Sequence, residues 1–378
     1  MFVAGIDAHT RYVVAVVLDR FGECVLRPTR VKVEQRERLL ELLAPYRPLD
    51  AVMETSSSWP WLSEVLTGAG IHFVLAHARR LRAIAEANYK TDAIDADLLA
   101  RMRLAGLIPA VYPTPVAQRE WATLVRHRTT LVVQRTALVN RIHAQLHRQG
   151  LYLARGRLLT RAGRQWVRTV AYPGFGLEQR ALVRSHLRVI AGLRPLIRAC
   201  DRHIAEVAAT IPEAQLVATV PGIGPHRALV ICAEALPIRR FPTPGHLASY
   251  AGLVPTSCQS GQRAVRHGAI PAGANRWLRG ALVHAVVSHV THAPASWLSA
   301  YYATQKARLG WPTARVATAR KLARALHAML RTNTPWQHDQ HDQHDQHDQH
   351  DQHDQHDQHD QHDQHDPARV SSTDGMPH

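Results

Sequence analysis

The stretch FVAGIDAHTRYVVAVVLDRFGECVLRPTRVKV, residues 2–33, decides the fold class. Apolar runs occupy 2–6, 12–18 and 24–33, with a turn at Asp19-Arg20-Phe21-Gly22. Short apolar runs bounded by turn residues read as strands, so the stretch predicts a three-stranded antiparallel meander. Working outward, a helical pattern follows over 35–43, a strand over 49–53, a helix over about 61–67, and a strand over 71–75 after Gly68-Ala69-Gly70.

The order β-β-β-α-β-α-β predicts an α/β amino-terminal domain of the ribonuclease-H type. Four acids stand at telling places on it. Asp7 follows Gly5-Ile6 on the first strand and Glu54 ends Val52-Met53 on the fourth. Asp92 and Asp95, in Lys90-Thr91-Asp92-Ala93-Ile94-Asp95, open a helical stretch three residues apart and so share one face, whereas Asp97 points elsewhere. Converging carboxylates without paired cations nearby in sequence suit a hard divalent ion, Mg²⁺ or Mn²⁺, and phosphodiester chemistry. Taken singly, each has a plain structural reading: Asp7 as a turn residue, Glu54 as a cap on the Ser56-Ser57-Ser58 loop, and the Asp92/Asp95 pair as partners of the helix dipole.

The charge balance points to a polyanionic partner. Of 46 Lys and Arg and 30 Asp and Glu, the tail from Gln337 onward holds one and eleven, which leaves the body formally +26. Arginine is spread along most of the body, as a nucleic-acid-binding surface requires. Cys24, Cys200, Cys232 and Cys258 are far apart with no CxxC spacing, so neither a zinc site nor a disulfide framework is indicated. No apolar run approaches membrane-spanning length and the first residues do not resemble a signal peptide, which together predict a soluble cytoplasmic protein.

Pro109, Pro113 and Pro115 mark a boundary, because closely spaced prolines cannot propagate a helix. Long Arg-rich helical stretches at 116–149 and about 177–210 read as an antiparallel arm, joined through a basic segment, 151–175, with a turn at Tyr172-Pro173-Gly174. A mostly α carboxy-terminal region follows. The expected division is 1–110 catalytic, 111–210 basic helical arm, 211–336 carboxy-terminal domain, and 337–378 a disordered tail built on ten Gln-His-Asp triplets with no apolar residue to bury.

In the third region Val220-Pro221-Gly222-Ile223-Gly224-Pro225 precedes a helical stretch. A glycine turn of this kind exposes backbone N–H groups at a helix N-terminus, so Gly222 and Gly224 are candidates for a helix-hairpin-helix-like phosphate contact, or simply a turn and cap. Next come Ala248-Ser249-Tyr250-Ala251-Gly252-Leu253-Val254-Pro255, then Gln259-Ser260-Gly261, the basic Arg263, Arg266 and His267, and Gly273-Ala274-Asn275-Arg276-Trp277-Leu278-Arg279. Read alone, Ser260 is a loop serine before glycine, with Ser257 and Cys258 as neighbours. No local Ser-His-Asp arrangement activates it. His9, His77 and His226 are possible accessories that read more readily as structural.

Gly5-Ile6-Asp7, Met53-Glu54-Thr55-Ser56 and Lys90-Thr91-Asp92-Ala93-Ile94-Asp95-Ala96, with the carboxy-terminal motifs, resemble the IS110 family of insertion-sequence transposases, related to the Piv and MooV DNA invertases. The resemblance covers about residues 2–330. It implies a RuvC-like domain in which Asp7, Glu54, Asp92 and Asp95 hold Mg²⁺, and a transposase domain in which Ser260 is the nucleophile on DNA, with Arg263, Arg266 and Arg276 beside it as nucleic-acid contacts. It further implies recombination through a phosphoserine link, a homo-oligomer (dimer or tetramer), a structured guide RNA, and a place in the bacterial cytoplasm with the nucleoid. The alternatives from the residues themselves are a metal-dependent Holliday-junction resolvase, which would not need Ser260, and a non-catalytic nucleic-acid-binding protein, which would need neither.

Overall fold

The computed structural model describes residues 1–84, 91–154, 156–254, 257–258, 266–267 and 273–337. The chain divides into two compact units, Met1–Val116 and Ala117–His378.

The first unit is a mixed sheet covered on both faces. Strands β1 (Phe2–Ala8), β2 (Tyr12–Leu18) and β3 (Cys24–Lys32) form the antiparallel meander. Helix α1 (Arg36–Leu43) leads to β4 (Leu49–Glu54), parallel to β1, and α2 (Trp59–Gly68) leads to β5 (His72–Ala76), parallel to β4. Helices α3 (Ala78–Ile84) and α4 (Asp92–Leu104) precede a two-residue strand, β6 (Ala110–Val111), antiparallel to β5. The strand order β3-β2-β1-β4-β5-β6 is that of a ribonuclease-H-like sheet with an added edge strand. The sequence pattern predicts neither helix α3 nor strand β6, the latter because two residues between prolines carry no periodicity.

Alternation along β1 assigns its faces. Ala4 and Ile6 pack with Ala51 and Met53 of β4 and with Leu39, Leu43, Leu62 and Leu66 of α1 and α2. Val3 turns the other way, to Ala96 and Ala100 of α4, together with Val14, Val16 and Leu18 of β2. Val52 of β4 meets Leu99 and Met102 of the same helix. A central strand buried on both sides must be apolar throughout, which explains the unbroken runs in β1 and β2. Gly5 lies between these contacts, and a Cβ built on it would sit 1.9 Å from the Ala96 carbonyl oxygen and 2.9 Å from the Ala100 nitrogen. Glycine is therefore required for α4 to lie directly against β1.

The second unit is helical. Helices α5 (Val116–Arg148) and α7 (Leu177–Ala209), 33 residues each and so about 50 Å long, run antiparallel, with Arg128 on Asp201 at 2.9 Å near one end and Gln179 on Gln145 at 3.1 Å near the other. Ile142, Leu146, Val183 and Ile190 fill the far end of the pair with residues from the connecting segment, which contains α6 (Arg161–Trp166). At the near end Val125 and Ile204 join a larger core made by α8 (Pro212–Ala218), α9 (Pro225–Ala235), α10 (Pro244–Tyr250), α11 (Arg276–His292) and α12 (Trp297–Thr332). Two short strands, β7 (Ser257–Cys258) and β8 (Arg266–His267), pair antiparallel. Among the described residues no helix is long and apolar enough to cross a membrane.

Candidate active site

The sheet brings the amino-terminal acids to one end of one face. Asp7 is two residues beyond Gly5 and therefore points to the α4 side. Glu54 is two beyond Val52 and does the same. Because β1 and β4 run parallel with Ile6 opposite Met53, Asp7 and Glu54 occupy neighbouring positions at the strand ends. Helix α4 starts directly above them. Thr91 caps it, its side chain accepting from the Ile94 N–H at 3.3 Å, so Asp92 and Asp95 fall in the first turn.

A histidine completes the cluster. His9 Nε2 is 2.8 Å from Asp7 Oδ2 and 3.3 Å from Asp92 Oδ1, and the donor atoms of these three residues lie within 4.8 Å of one another. The turn that carries His9 is held by the Ser58 hydroxyl, which donates to the His9 carbonyl at 2.9 Å. Asp92 is anchored from outside: the Tyr12 hydroxyl donates to its Oδ2 at 2.8 Å, and Arg30, stacked over the Tyr12 ring at 3.9 Å, reaches the same oxygen at 3.4 Å. Oδ2 is thus occupied while Oδ1 faces His9 and Asp7. Asp97 is apart, paired with Arg101 at 2.6 Å.

The electrostatics follow from this packing. Burial pushes the Asp7 carboxyl pKa up; His9 partly offsets this, while the charges of Asp95 and Asp92 add to the rise. Asp92 is held below the usual carboxylate range chiefly by the Tyr12 hydrogen bond, and that bond keeps the Tyr12 proton in place. A half-buried carboxylate beside two others disfavours its own charge, and a cation removes that cost. Oxygen donors from Asp7 and Asp92 with an imidazole between them match the donor set of a divalent ion.

The sequence pattern does not reveal Tyr12 and Arg30 as parts of the site, because their approach depends on strand register: Arg30 lies opposite Val14, diagonal to Tyr12. Replacing Tyr12 with Phe should raise the Asp92 pKa toward its ordinary value in the metal-free protein, as followed by carboxylate NMR. It should also weaken binding of an added divalent ion at the cluster about 10- to 100-fold, as losses of outer hydrogen bonds to ligands do. An unmoved Asp92 titration contradicts the anchoring role.

In the second unit Gly222 has φ +89°, and a Cβ there would sit 2.6 Å from the His289 nitrogen, so the turn is built for glycine. Gly224 precedes α9 without a side-chain cap. Arg128, Asp201, Gly224, Pro225, His226 and Arg227 line a cavity of about 350 Å³ at that end. Burial and the neighbouring Arg128 push the His226 pKa down. His77 pairs its backbone with Pro109, its N–H donating at 2.9 Å. Asn275 caps α11: its Oδ1 accepts from the Trp277 and Leu278 N–H groups at 3.0 Å, and its Nδ2 donates to buried Glu234 at 2.7 Å. Arg276 in that first turn is exposed. Ser260 and Arg263 lie outside the described residues. The residues on either side pair, Ser257 with His267 and Cys258 with Arg266.

Comparison with known proteins matches residues 214–303 to the family described as transposase IS116/IS110/IS902, and residues 4–149 to a transposase family of the IS110 Asp-Glu-Asp-Asp type. The chain is 30% identical over 315 residues to the transposase-named y4rJ protein of Sinorhizobium fredii, covering 76% of each. It is 27% identical over 321 residues to the transposase for insertion sequence element IS1111A of Coxiella burnetii, covering 83% of this chain and 85% of that one. To an IS110 insertion-element protein of Streptomyces coelicolor it is 34% identical over 168 residues, which span 44% of this chain and 40% of that relative. Among solved structures, T. thermophilus RuvC in complex with a Holliday junction substrate aligns at 15% identity and a TM-score of 0.23, covering 29% of this chain and 99% of that one.

Proposed function

The chain belongs to the IS116/IS110/IS902 family of transposases, enzymes that cut and join DNA, and from that premise we propose that it recombines DNA through a serine-linked intermediate at a metal-assisted acidic site. The observation that carries this reading is the meeting of Asp7 and Asp92 around His9 at the start of α4. Asp7, Glu54, Asp92 and Asp95 would hold Mg²⁺ or Mn²⁺. A bound divalent ion supplies charge stabilisation at the scissile phosphate.

The protein's own groups do the rest. Ser260 Oγ attacks phosphorus; the Oγ–P bond forms as the bond from phosphorus to the 3′ oxygen breaks. The serine gives up its proton and the leaving oxygen takes one. A 3′ hydroxyl of a partner strand then reverses the exchange, so phosphodiester bonds are conserved without an external energy source. Asp92, fixed by Tyr12 and Arg30, keeps one oxygen aimed at the reacting centre. Gly222, Gly224, Arg263, Arg266 and Arg276 contact phosphates, which contribute affinity rather than sequence reading.

In this reading residues 1–110 supply the acids, 111–210 the basic arm and 211–336 the serine. Two or four copies act together in the bacterial nucleoid, and a structured RNA pairs with target and donor DNA. The body charge of +26 supports an RNA in addition to DNA. The test is to purify the full chain from cells carrying the whole element and assay cutting of element-end DNA. Cutting is expected with Mg²⁺ and bound RNA, and not in EDTA or after RNase. Undiminished cutting in EDTA contradicts the metal, and site-specific recombination by RNA-free protein contradicts the guide.

A further inference from the structure

Helix α12 is broken once along its 36 residues, at Gly310, where φ 76° and ψ 164° suit glycine alone. Pro312 then opens the following segment, a position where its missing N–H costs nothing. The break sets Trp311 out from the surface with 56% of it exposed. One face of the indole is taken: the Arg315 guanidinium lies 4.1 Å from the ring centre. Arg315 Nε is buried there without a hydrogen-bond partner. The surroundings are cationic, with Lys306 and Arg308 exposed one turn back. From Glu234 to Asp339 the chain has no intervening Asp or Glu and thirteen Lys and Arg, so no acid in this stretch neutralises them.

We infer that Trp311 is a stacking platform for an unpaired base of single-stranded DNA, with Arg315, Lys306 and Arg308 serving the adjoining phosphates. An indole held on one face by a guanidinium presents its other face ready-made, at little ordering cost. That face offers no directed hydrogen bond, so it suits any base and has no place inside a stacked duplex. A protein partner of apolar character fits poorly, because among the described residues from 301 to 321 the large apolar side chains most exposed are Leu309 and Trp311 themselves, and cations flank both in sequence. The inference rests on the family's cutting and joining of DNA, which parts strands and exposes bases.

The test measures binding of the full chain to a fluorescein-labelled oligo-dT strand, to a duplex of the same length and to oligo-rU, for wild type, Trp311→Ala and Trp311→Phe. Trp311 is exposed, so both variants should fold. Trp311→Ala should weaken single-strand DNA binding about 5- to 100-fold, the range that base–aromatic stacking gives, and change duplex binding by less than about twofold. Trp311→Phe, which keeps a π face, should recover most of it. Irradiated oligonucleotides carrying 5-iododeoxyuridine should cross-link to the peptide bearing Trp311. Unchanged single-strand binding in Trp311→Ala, an equal loss on duplex, or a loss on oligo-rU alone would overturn the assignment.

Discussion

Replacing Asp7 with Asn is expected to abolish metal-dependent DNA cleavage, by about three orders of magnitude, while leaving the protein as stable as before or more so. The first half follows from position. Asp7 is the strand-borne donor against which Asp92 converges, and a metal site contributes several kcal/mol to such chemistry, where about 1.4 kcal/mol is tenfold in rate. The second half follows from the pKa. Burial, with Asp95 and Asp92 nearby, raises the Asp7 pKa, so its charged form is disfavoured in the fold. A carboxyl shifted upward contributes stability fully below its unfolded pKa and loses it as pH rises through the folded value. At neutral pH the wild-type protein therefore carries a penalty that Asn lacks. Thermal melts of the metal-free protein should show Asp7→Asn at or above wild type at pH 7, with the difference shrinking as pH is lowered. A lower melting temperature at pH 7 contradicts the electrostatic account.

Gly5→Ala should damage structure and activity together, though Gly5 touches no reacting group. A methyl there meets the Ala96 carbonyl oxygen at 1.9 Å, and because the obstacle is helix backbone, α4 has to move as a body. Overpacking of this kind costs about 1–3 kcal/mol. A shift of about 1 Å in a catalytic constellation can cost about 10²-fold in rate, and Asp92 and Asp95 travel with the helix. Both a lowered melting temperature and a cleavage defect are expected, the second not rescued by cooling. Wild-type melting and activity in this variant would mean that α4 does not rest on β1 as described.

The sheet was largely legible in the sequence because its strands are runs of Val, Ala and Leu buried on both faces, and such runs leave few alternatives. What pattern could not supply was register. Glu54 and Asp7 are recognisable as acids ending strands, but their shared side of the sheet depends on Ile6 standing opposite Met53. From the sequence His9 reads only as a possible accessory; it bridges Asp7 and Asp92 because a tight turn, pinned by Ser58, folds it back over the strand end. Asn275 shows the reverse case: within a motif read for nucleic-acid contact, its side chain caps a helix and binds buried Glu234. The Ser260 segment is legible only as a motif, because β7 and β8 beside it are too short to carry a period.

A covalent bond between protein and DNA at Ser260 is the step that sets the proposed reaction apart from metal-only hydrolysis. The full chain, with its co-purified RNA, should be mixed with Mg²⁺ and element-end DNA carrying a nick that prevents religation. The products are then denatured and digested, and the modified peptide is mapped by mass spectrometry. A DNA 5′-phosphate is expected on the peptide containing Ser260, lost in Ser260→Ala and in Asp7→Asn but retained in Ser257→Ala. An adduct that persists in Ser260→Ala, maps to Cys258, or is replaced by cleaved DNA with free 5′-phosphate ends and no protein attached would contradict the proposed reaction.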